Sequence, residues 1–265
     1  MRIITANLNG IRAAARKGFF VWLSRQRADV VCLQETKAQE HQLTDPVFHP
    51  RGWHIHFHDA VKKGYSGTAL YSRPLPDTVQ HGIGIDWIDE EGRYLEARYG
   101  NLSVISLYLP SGTSGDERQA YKYRVMDVLL PHLDTLQSSG RDVIVCGDWN
   151  IAHTEADIRN WKGNLRNSGF LPEERQWLTR LFDEVGYVDV FRQLPQKPHE
   201  YTWWSQRGGA RERNVGWRID YQIVSASLGN RVRRTRVYRK QAFSDHAPLI
   251  IDYDLEKPAS PAPTA

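Results

Sequence analysis

Short apolar runs, each closed by polar residues, recur along the whole chain. Their β-branched and aromatic content predicts strands at Ile3–Ala6, Val30–Leu33, His54–Phe57, Thr68–Tyr71, Tyr94–Tyr99, Leu102–Leu107, Val143–Cys146, Ile219–Val224 and Leu249–Tyr253. Three other stretches have helical spacing. Gly18–Gln26 carries Phe19, Val21, Trp22 and Leu23. Asp116–Leu136 opens on acids and aligns Val125, Val128, Leu129 and Leu133, and its interior Pro131 should kink or split it. Pro172–Val185 has Pro at the first helical position, Glu173 and Glu174 in the first turn and Gly186 beyond the end. Only Gly100-Asn101 separates Tyr94–Tyr99 from Leu102–Leu107. That hairpin signal predicts a mixed sheet rather than a doubly wound parallel one. With no linker and no repeat, residues 1–255 read as one α/β domain. The Pro- and Ala-rich tail, 256–265, is expected to be disordered.

Composition adds bounds. The 265 residues, 40% hydrophobic, suffice for one large core. No apolar run approaches the roughly 20 residues that span a bilayer. "MRIITANLNG" does not read as a secretory signal, so a cytosolic location away from any membrane is expected. Cys32 and Cys146 sit in strand-like apolar runs and read as reduced core thiols, too few for a structural zinc cluster. The net charge is only +4. Yet from Arg207 to Lys240 basic residues far outnumber Glu212 and Asp220, which suits a phosphate backbone or a solvated face.

The candidate chemistry lies where polar residues end the apolar runs. Asn7 and Asn9 follow the first strand, Glu35 the second, Tyr108 the "VISLY" run, and Asp148 and Asn150 the "VIVCG" run. Any one of these could simply make a turn. Together they are the residue types that bind a hard cation. Asp220 and the Asp245-His246 pair precede their strands instead. If those strands run antiparallel to the others, Asn7, Glu35, Tyr108, Asp148, Asn150, Asp220, Asp245 and His246 converge on one rim. Neither "GYSGT" nor "GTSGD" is a nucleophile elbow, and no phosphate loop or dinucleotide fingerprint is present. Carboxylates, amides, Tyr and His without a nucleophile suit metal-assisted hydrolysis, and the oxygen-rich set favours Mg²⁺ or Mn²⁺ over zinc. His54, His56 and His58 alternate along one strand face. Ile55 and Phe57 are expected to face the core and the three imidazoles to face solvent.

Six separated motifs, in order, carry a resemblance: "NLNGIRAAARKGFF", "CLQETK", "YLPSG", "GDWNIAHTEADIRNWKGNLRNSGFLPEER", "VGWRIDY" and "FSDHAPL". They resemble the exonuclease III class of apurinic/apyrimidinic endonucleases from about Met1 to Tyr253. The resemblance implies a four-layer α/β sandwich, with two mixed sheets face to face and helices outside. It implies a Mg²⁺-dependent phosphodiesterase, Mn²⁺ being an alternative ion. Such an enzyme incises duplex DNA 5′ to abasic sites, trims 3′ ends as a 3′–5′ exonuclease, and works as a cytoplasmic, nucleoid-associated monomer.

The resemblance also implies roles. Glu35 is the principal metal ligand, with Asn7, Asn9 and Asp245 near the ion. Asp148 and Asn150 position or activate the attacking water. Tyr108 and His246 contact the scissile phosphate, and Asp220 orients the imidazole. Asp148 and His246 are the two candidate bases. Trp203, Trp217 and Ile219 line a pocket for a flipped-out abasic sugar, whereas Trp204 reads as a core aromatic. Asn160, Asn164 and Asn167 donate to backbone phosphates. Arg12, Lys17, Lys37, Tyr65 and the "QRGGARER" loop, with Arg211 and Arg213, add charge and groove contacts. Ala6, Trp149 and the loop after Pro110, which lacks a basic residue, depart from the family pattern. Two other readings share parts of this pattern. A non-catalytic relative that binds RNA or protein would be expected to have lost carboxylates that are all present here. A phosphatase or phosphodiesterase for inositol phosphates or sphingolipids would lack "NWKGNLRNSGF" and "VGWRIDY".

Overall fold

The computed structural model describes residues 1–258. Residues 259–265 of the tail expected to be disordered lie outside the described residues. The strands are β1 (Arg2–Asn7), β2 (Val30–Gln34), β3 (His54–His58), β4 (Thr68–Ser72), β5 (Thr78–His81), β6 (Tyr94–Tyr99) and β7 (Leu102–Tyr108). They continue as β8 (Asp142–Asp148), β9 (Val188–Asp189), β10 (Trp203–Trp204), β11 (Gly216–Trp217), β12 (Asp220–Val224), β13 (Val232–Val237) and β14 (Leu249–Tyr253). The helices are α1 (Ile11–Arg16), α2 (Phe19–Leu23), α3 (Asp86–Asp89), α4 (Asp116–Ser138), α5 (Trp161–Asn164) and α6 (Pro172–Asp183).

Two six-stranded mixed sheets form, ordered β13-β14-β1-β2-β4-β3 and β5-β6-β7-β8-β12-β9, with β10-β11 as a separate ribbon. One core lies between the sheets and includes Ile3, Val30, Cys32, Leu95, Val104, Ile144, Cys146 and Ile251. Both cysteines are buried free thiols. A second core joins β7, β8 and β12 to α4 and α6 through residues such as Ile105, Val145, Leu129, Trp177 and Ile223. A third packs α1 and α2 on the other sheet through Ile4, Val31, Phe19, Phe20 and Trp22. Helix, sheet, sheet, helix is therefore the layer order, because the central strands β2, β4 and β12 are buried along their whole length.

Register brings the strand ends together. β1 and β2 are parallel, pairing Asn7 with Gln34, so Glu35 emerges beside Asn7. β14 runs antiparallel to β1, pairing Thr5 with Leu249, which puts Asp245 and His246 at the same end. In the other sheet β7 and β8 are parallel with Tyr108 opposite Asp148. β12 is antiparallel to β8 and sets Asp220 opposite Asp148. The antiparallel arrangement that convergence required is present.

Three expectations differ from the structure. Helix α4 is not split: it runs unbroken past Pro131. Pro131 and Asp127, whose carbonyl loses its partner, are both exposed, so water can satisfy the freed group. β13 falls within the basic run and was not among the predicted strands. Val232 and Val237 are buried while Arg233, Arg234 and Arg236 are exposed, as suits an edge strand protected by charge. On β3, His54 is exposed, but His56 and His58 are half-buried. The His58 Nδ1 lies 2.7 Å from the Tyr94 carbonyl oxygen, and its ring meets that of His81 edge-on at 5.7 Å. This face of β3 looks toward the facing sheet's edge rather than into bulk water.

Candidate active site

The rim residues gather at a cleft of about 630 Å³, most of them joined by hydrogen bonds. Asn7 bridges two carboxylates: its Nδ2 donates to Glu35 Oε1 at 2.7 Å and to Asp148 Oδ2 at 2.8 Å. Asn9 Nδ2 donates to Asp245 Oδ1 at 2.9 Å, and Asp245 Oδ2 accepts from Trp203 Nε1 at 3.1 Å. Lys37 Nζ lies 2.6 Å from Glu35 Oε2 and donates to Asn9 Oδ1 at 2.5 Å. The Asn150 amide N–H donates to Asp148 Oδ1 at 2.9 Å, and its Nδ2 donates to the Leu109 carbonyl at 2.9 Å. The His246 Nδ1 lies 2.9 Å from Asp220 Oδ2, and its Nε2 lies 3.8 Å from Asp148 Oδ2.

The backbone is shaped to make this possible. Asn9, Glu35, Lys37 and Asn150 all have left-handed φ values, between 45° and 51°. Few non-glycine residues adopt that region, and they persist where the surroundings over-determine them. Here each such residue follows the end of a strand; Glu35 and Asn150 line the cleft, and Asn9 and Lys37 hold Asp245 and Glu35.

Burial and neighbouring charge set the protonation states. Burial pushes the Asp148 carboxyl up to about 7, with Asp220 and Glu35 adding to the rise and His246 opposing it. Burial alone would lower His246, but the Asp220 and Asp148 carboxylates outweigh it and raise the imidazole to about 10. Burial would also raise Glu35, yet Lys37, with Asn7 and His246, more than offsets it and holds the carboxyl below its ordinary range. The Tyr108 phenol is raised well above its ordinary value, by burial first and Glu35 second. Arg93 stacks over that ring at 4.5 Å.

Glu35, Asp148 and His246 can each offer one ligand atom within 4.8 Å of the others, a group that could hold a metal ion. With two carboxylates and nearby amide oxygens, the donors fit a hard divalent cation. The ring of His246, engaged by Asp220 and raised in pKa, is the weakest donor of the three.

The residues expected to bind substrate separate into groups. Trp203, Trp217, Ile219 and Asn167 line the cleft, together with Arg166, Ser168 and Gly169. Trp204 is buried, as expected of a core aromatic. Asn164 donates to the Asn160 carbonyl at 2.8 Å and accepts from Asn167 Nδ2 at 2.7 Å, so the three asparagines form one ladder beside the cleft. Arg12 and Lys17 are exposed on or beside α1. Arg211 stacks over Trp204 at 4.7 Å, and Arg213 is exposed nearby. Tyr65 lies in a neighbouring pocket of about 290 Å³ that meets the main cleft at Tyr108 and Ser111. Its hydroxyl accepts from Arg93 at 2.9 Å and Arg118 at 2.8 Å. Those two arginines were missed from sequence: single arginines just before a strand and at a helix start carry no distinguishing signal. The basic run divides as well. Arg207, Arg211 and Arg213 lie in the loop between β10 and β11, Arg233, Arg234 and Arg236 lie on β13, and Arg218 is buried against Asp157 and Asp189.

Fold and site together define a class: a two-sheet α/β sandwich with a carboxylate, amide and imidazole cluster at one rim. The sequence profile of the Endonuclease/Exonuclease/phosphatase family matches residues 4–246. An exodeoxyribonuclease of Bacillus subtilis is 42% identical, over 94% of this chain and 98% of that protein. A DNA-(apurinic or apyrimidinic site) endonuclease of Dictyostelium discoideum is 38% identical, over 96% of this chain and 71% of that protein. The solved structure of an AP endonuclease from Archaeoglobus fulgidus superposes with a TM-score of 0.86 at 29% identity, covering 96% of this chain and 100% of that one. The chain belongs to the endonuclease/exonuclease/phosphatase family of hydrolases.

Proposed function

We propose that this protein is a divalent-metal-dependent DNA-repair phosphodiesterase that incises duplex DNA 5′ to abasic sites and trims 3′ ends. One observation supports the reading most: the Glu35, Asp148, Asn150 and His246 cluster opens directly onto a cleft walled by Trp203, Trp217 and Ile219. Chemistry for a phosphodiester thus sits beside an apolar wall suited to a sugar without a base.

Glu35 and Asp148, with Asp245 at the rim, would hold a cation such as Mg²⁺ or Mn²⁺, which would polarise the phosphoryl group and stabilise the leaving oxyanion. Asp148, whose carboxyl burial raises before any cation binds, is placed to take a proton from the attacking water. Asn150 and Asn7 fix its two oxygens. His246, held protonated by Asp220, donates from Nε2 to a non-bridging phosphoryl oxygen. The Tyr108 phenol stays protonated and is a second donor. Lys37 and the arginines of the β10–β11 loop neutralise flanking phosphates of double-stranded DNA, on which the enzyme acts as a cytosolic monomer.

The test is a duplex with one abasic analogue, incubated with Mg²⁺ or with EDTA. Incision 5′ to the lesion in Mg²⁺ alone is expected. Tight binding without cleavage at high enzyme would sink the reading. Glu35→Ala should lose at least about a hundredfold in rate, a scale reached when a metal-site or charge-stabilising group is removed, while keeping its circular dichroism spectrum.

A further inference from the structure

Behind the cleft lies an ion pair that the mechanism above does not use. Lys122, on α4, and Glu174, the third residue of α6, are both fully buried. Lys122 Nζ lies 2.6 Å from Glu174 Oε1 and donates to the backbone carbonyl of Asn150 at 2.8 Å. Glu174 Oε2 accepts the amide N–H groups of Gly169 at 2.6 Å and Leu171 at 3.0 Å. Its Oε1 also accepts from Gln119 Nε2 at 3.1 Å and Ser168 Oγ at 3.3 Å.

A buried pair of this kind is poor value as a stabiliser, because desolvating both charges offsets most of their attraction. Its location explains more. Asn150 is left-handed at φ 49° and is held from both sides: its N–H by Asp148, its carbonyl by Lys122. Gly169 is left-handed too, at φ +91°, and a Cβ there would lie 3.1 Å from both the Asn150 carbonyl oxygen and the Trp217 ring. Its carbonyl accepts from the Ala152 amide at 2.8 Å. One ammonium therefore fixes the segment bearing Asn150, while its carboxylate partner fixes the Ser168–Leu171 wall of the cleft. A single charged contact joins the two.

We infer that Lys122 and Glu174 are positioning residues for phosphodiester hydrolysis, a buried strut that holds Asn150 and the Ser168–Leu171 wall in register. The inference rests on the function proposed above. Displacement of a reacting group by about 1 Å can lower rates on the order of a hundredfold, so the strut acts on turnover rather than on stability.

The measurement is single-turnover incision of abasic duplex in Mg²⁺, with duplex affinity determined separately in EDTA. A K122M/E174L double variant removes both charges and leaves no unpaired carboxylate. We expect its single-turnover rate to fall by about ten- to a hundredfold. Its duplex Kd should stay near that of the wild type, a split between binding and turnover that a purely structural pair would not produce. K122R, which keeps a charged donor for both partners, should recover most of the rate. Wild-type rates in a folded double variant would overturn the strut while leaving the proposed function standing. A wild-type protein that does not incise abasic duplex would overturn both. If the double variant does not fold, E174Q against K122R decides. A slow E174Q with a fast K122R supports the strut, and any other pairing of the two overturns it.

Discussion

Asp220 shows what a residue can do without touching the substrate. It is buried and does not line the cleft, yet its Oδ2 holds His246 Nδ1 and is the largest influence raising that imidazole. Its backbone N–H is held by Thr202 Oγ1 at 3.1 Å, so the carboxylate has little freedom to follow the ring. Asp220→Asn keeps the shape and removes the charge. The expected result is a folded protein slowed by about ten- to a hundredfold, the usual range for losing a partner that orients a site ligand. The pH profile gives the sharper readout. A donor imidazolium is active below its pKa, so activity falls as pH rises through it. Without Asp220 that pKa drops, and the alkaline limb of the rate profile moves to lower pH. An unmoved limb would mean that His246 is not the titrating donor.

Elements show where the sequence was legible and where it was not. The residue types at the ends of β1, β2, β7 and β8 stood out because Asn, Glu and Asp interrupt apolar runs. What they bond to did not, since Asn7 and Glu35 meet only through sheet register. Lys122 had a fainter signal: it precedes buried Val125 and Met126 by three and four residues, which puts it on the core face of α4. A lysine at such a position ordinarily faces solvent, so its residue type hides the signal. β13 was hidden likewise, its arginines masking two buried valines. Between elements, Asp157 and Arg218 form a clamp. Both are buried, with Arg218 Nε 2.7 Å from Asp157 Oδ1 and the Arg218 amide donating to the Asp157 carbonyl at 2.7 Å. This pins β11 and the start of β12, and with them Trp217 and Ile219. Burial alone would raise Asp157, but Arg218 and Arg192 drive it far below the carboxylate range. Its contribution is therefore present above the unfolded value near 3.9 and lost only as pH falls well below it. Asp157→Asn leaves a buried guanidinium under-compensated and should lower unfolding free energy by about 3 kcal/mol in urea denaturation. A loss below about 1 kcal/mol would show that Asp189 alone suffices for Arg218.

At the scale of the whole molecule, two sheets closed by helices partly shield histidines outside the cleft lining, and their balance sets how the protein responds to acid. His56, His81, His132 and His153 are each held below the ordinary histidine value, in every case mainly by burial. The unfolded chain binds a proton at each near pH 6.5, whereas the folded chain binds it only at lower pH. The unfolded state then carries more protons, so stability is whole above about 6.5 and erodes as pH falls through that value. Asp148 works the other way by one proton, since burial raises it to about 7 in the fold. Asp148 and His246 oppose the four histidines down to about pH 6.5, and below that value only Asp148 does, which leaves a net acid loss there. His246, raised to about 10, contributes stability that is present below 6.5 and lost as pH climbs toward 10. The metal-free protein should therefore melt highest near neutrality. In EDTA, scanning calorimetry from pH 6.5 to 5.5 is expected to show a falling Tm, and from 7.5 to 9.5 a second decline. The His153→Gln variant should flatten the acid limb, because its ring contact with Thr179 can be kept by an amide without a titrating group. A Tm that holds level or rises toward pH 5.5 would mean that these histidines take up protons in place, and that the inter-sheet edge where His56 and His81 lie is open enough to water to accept them.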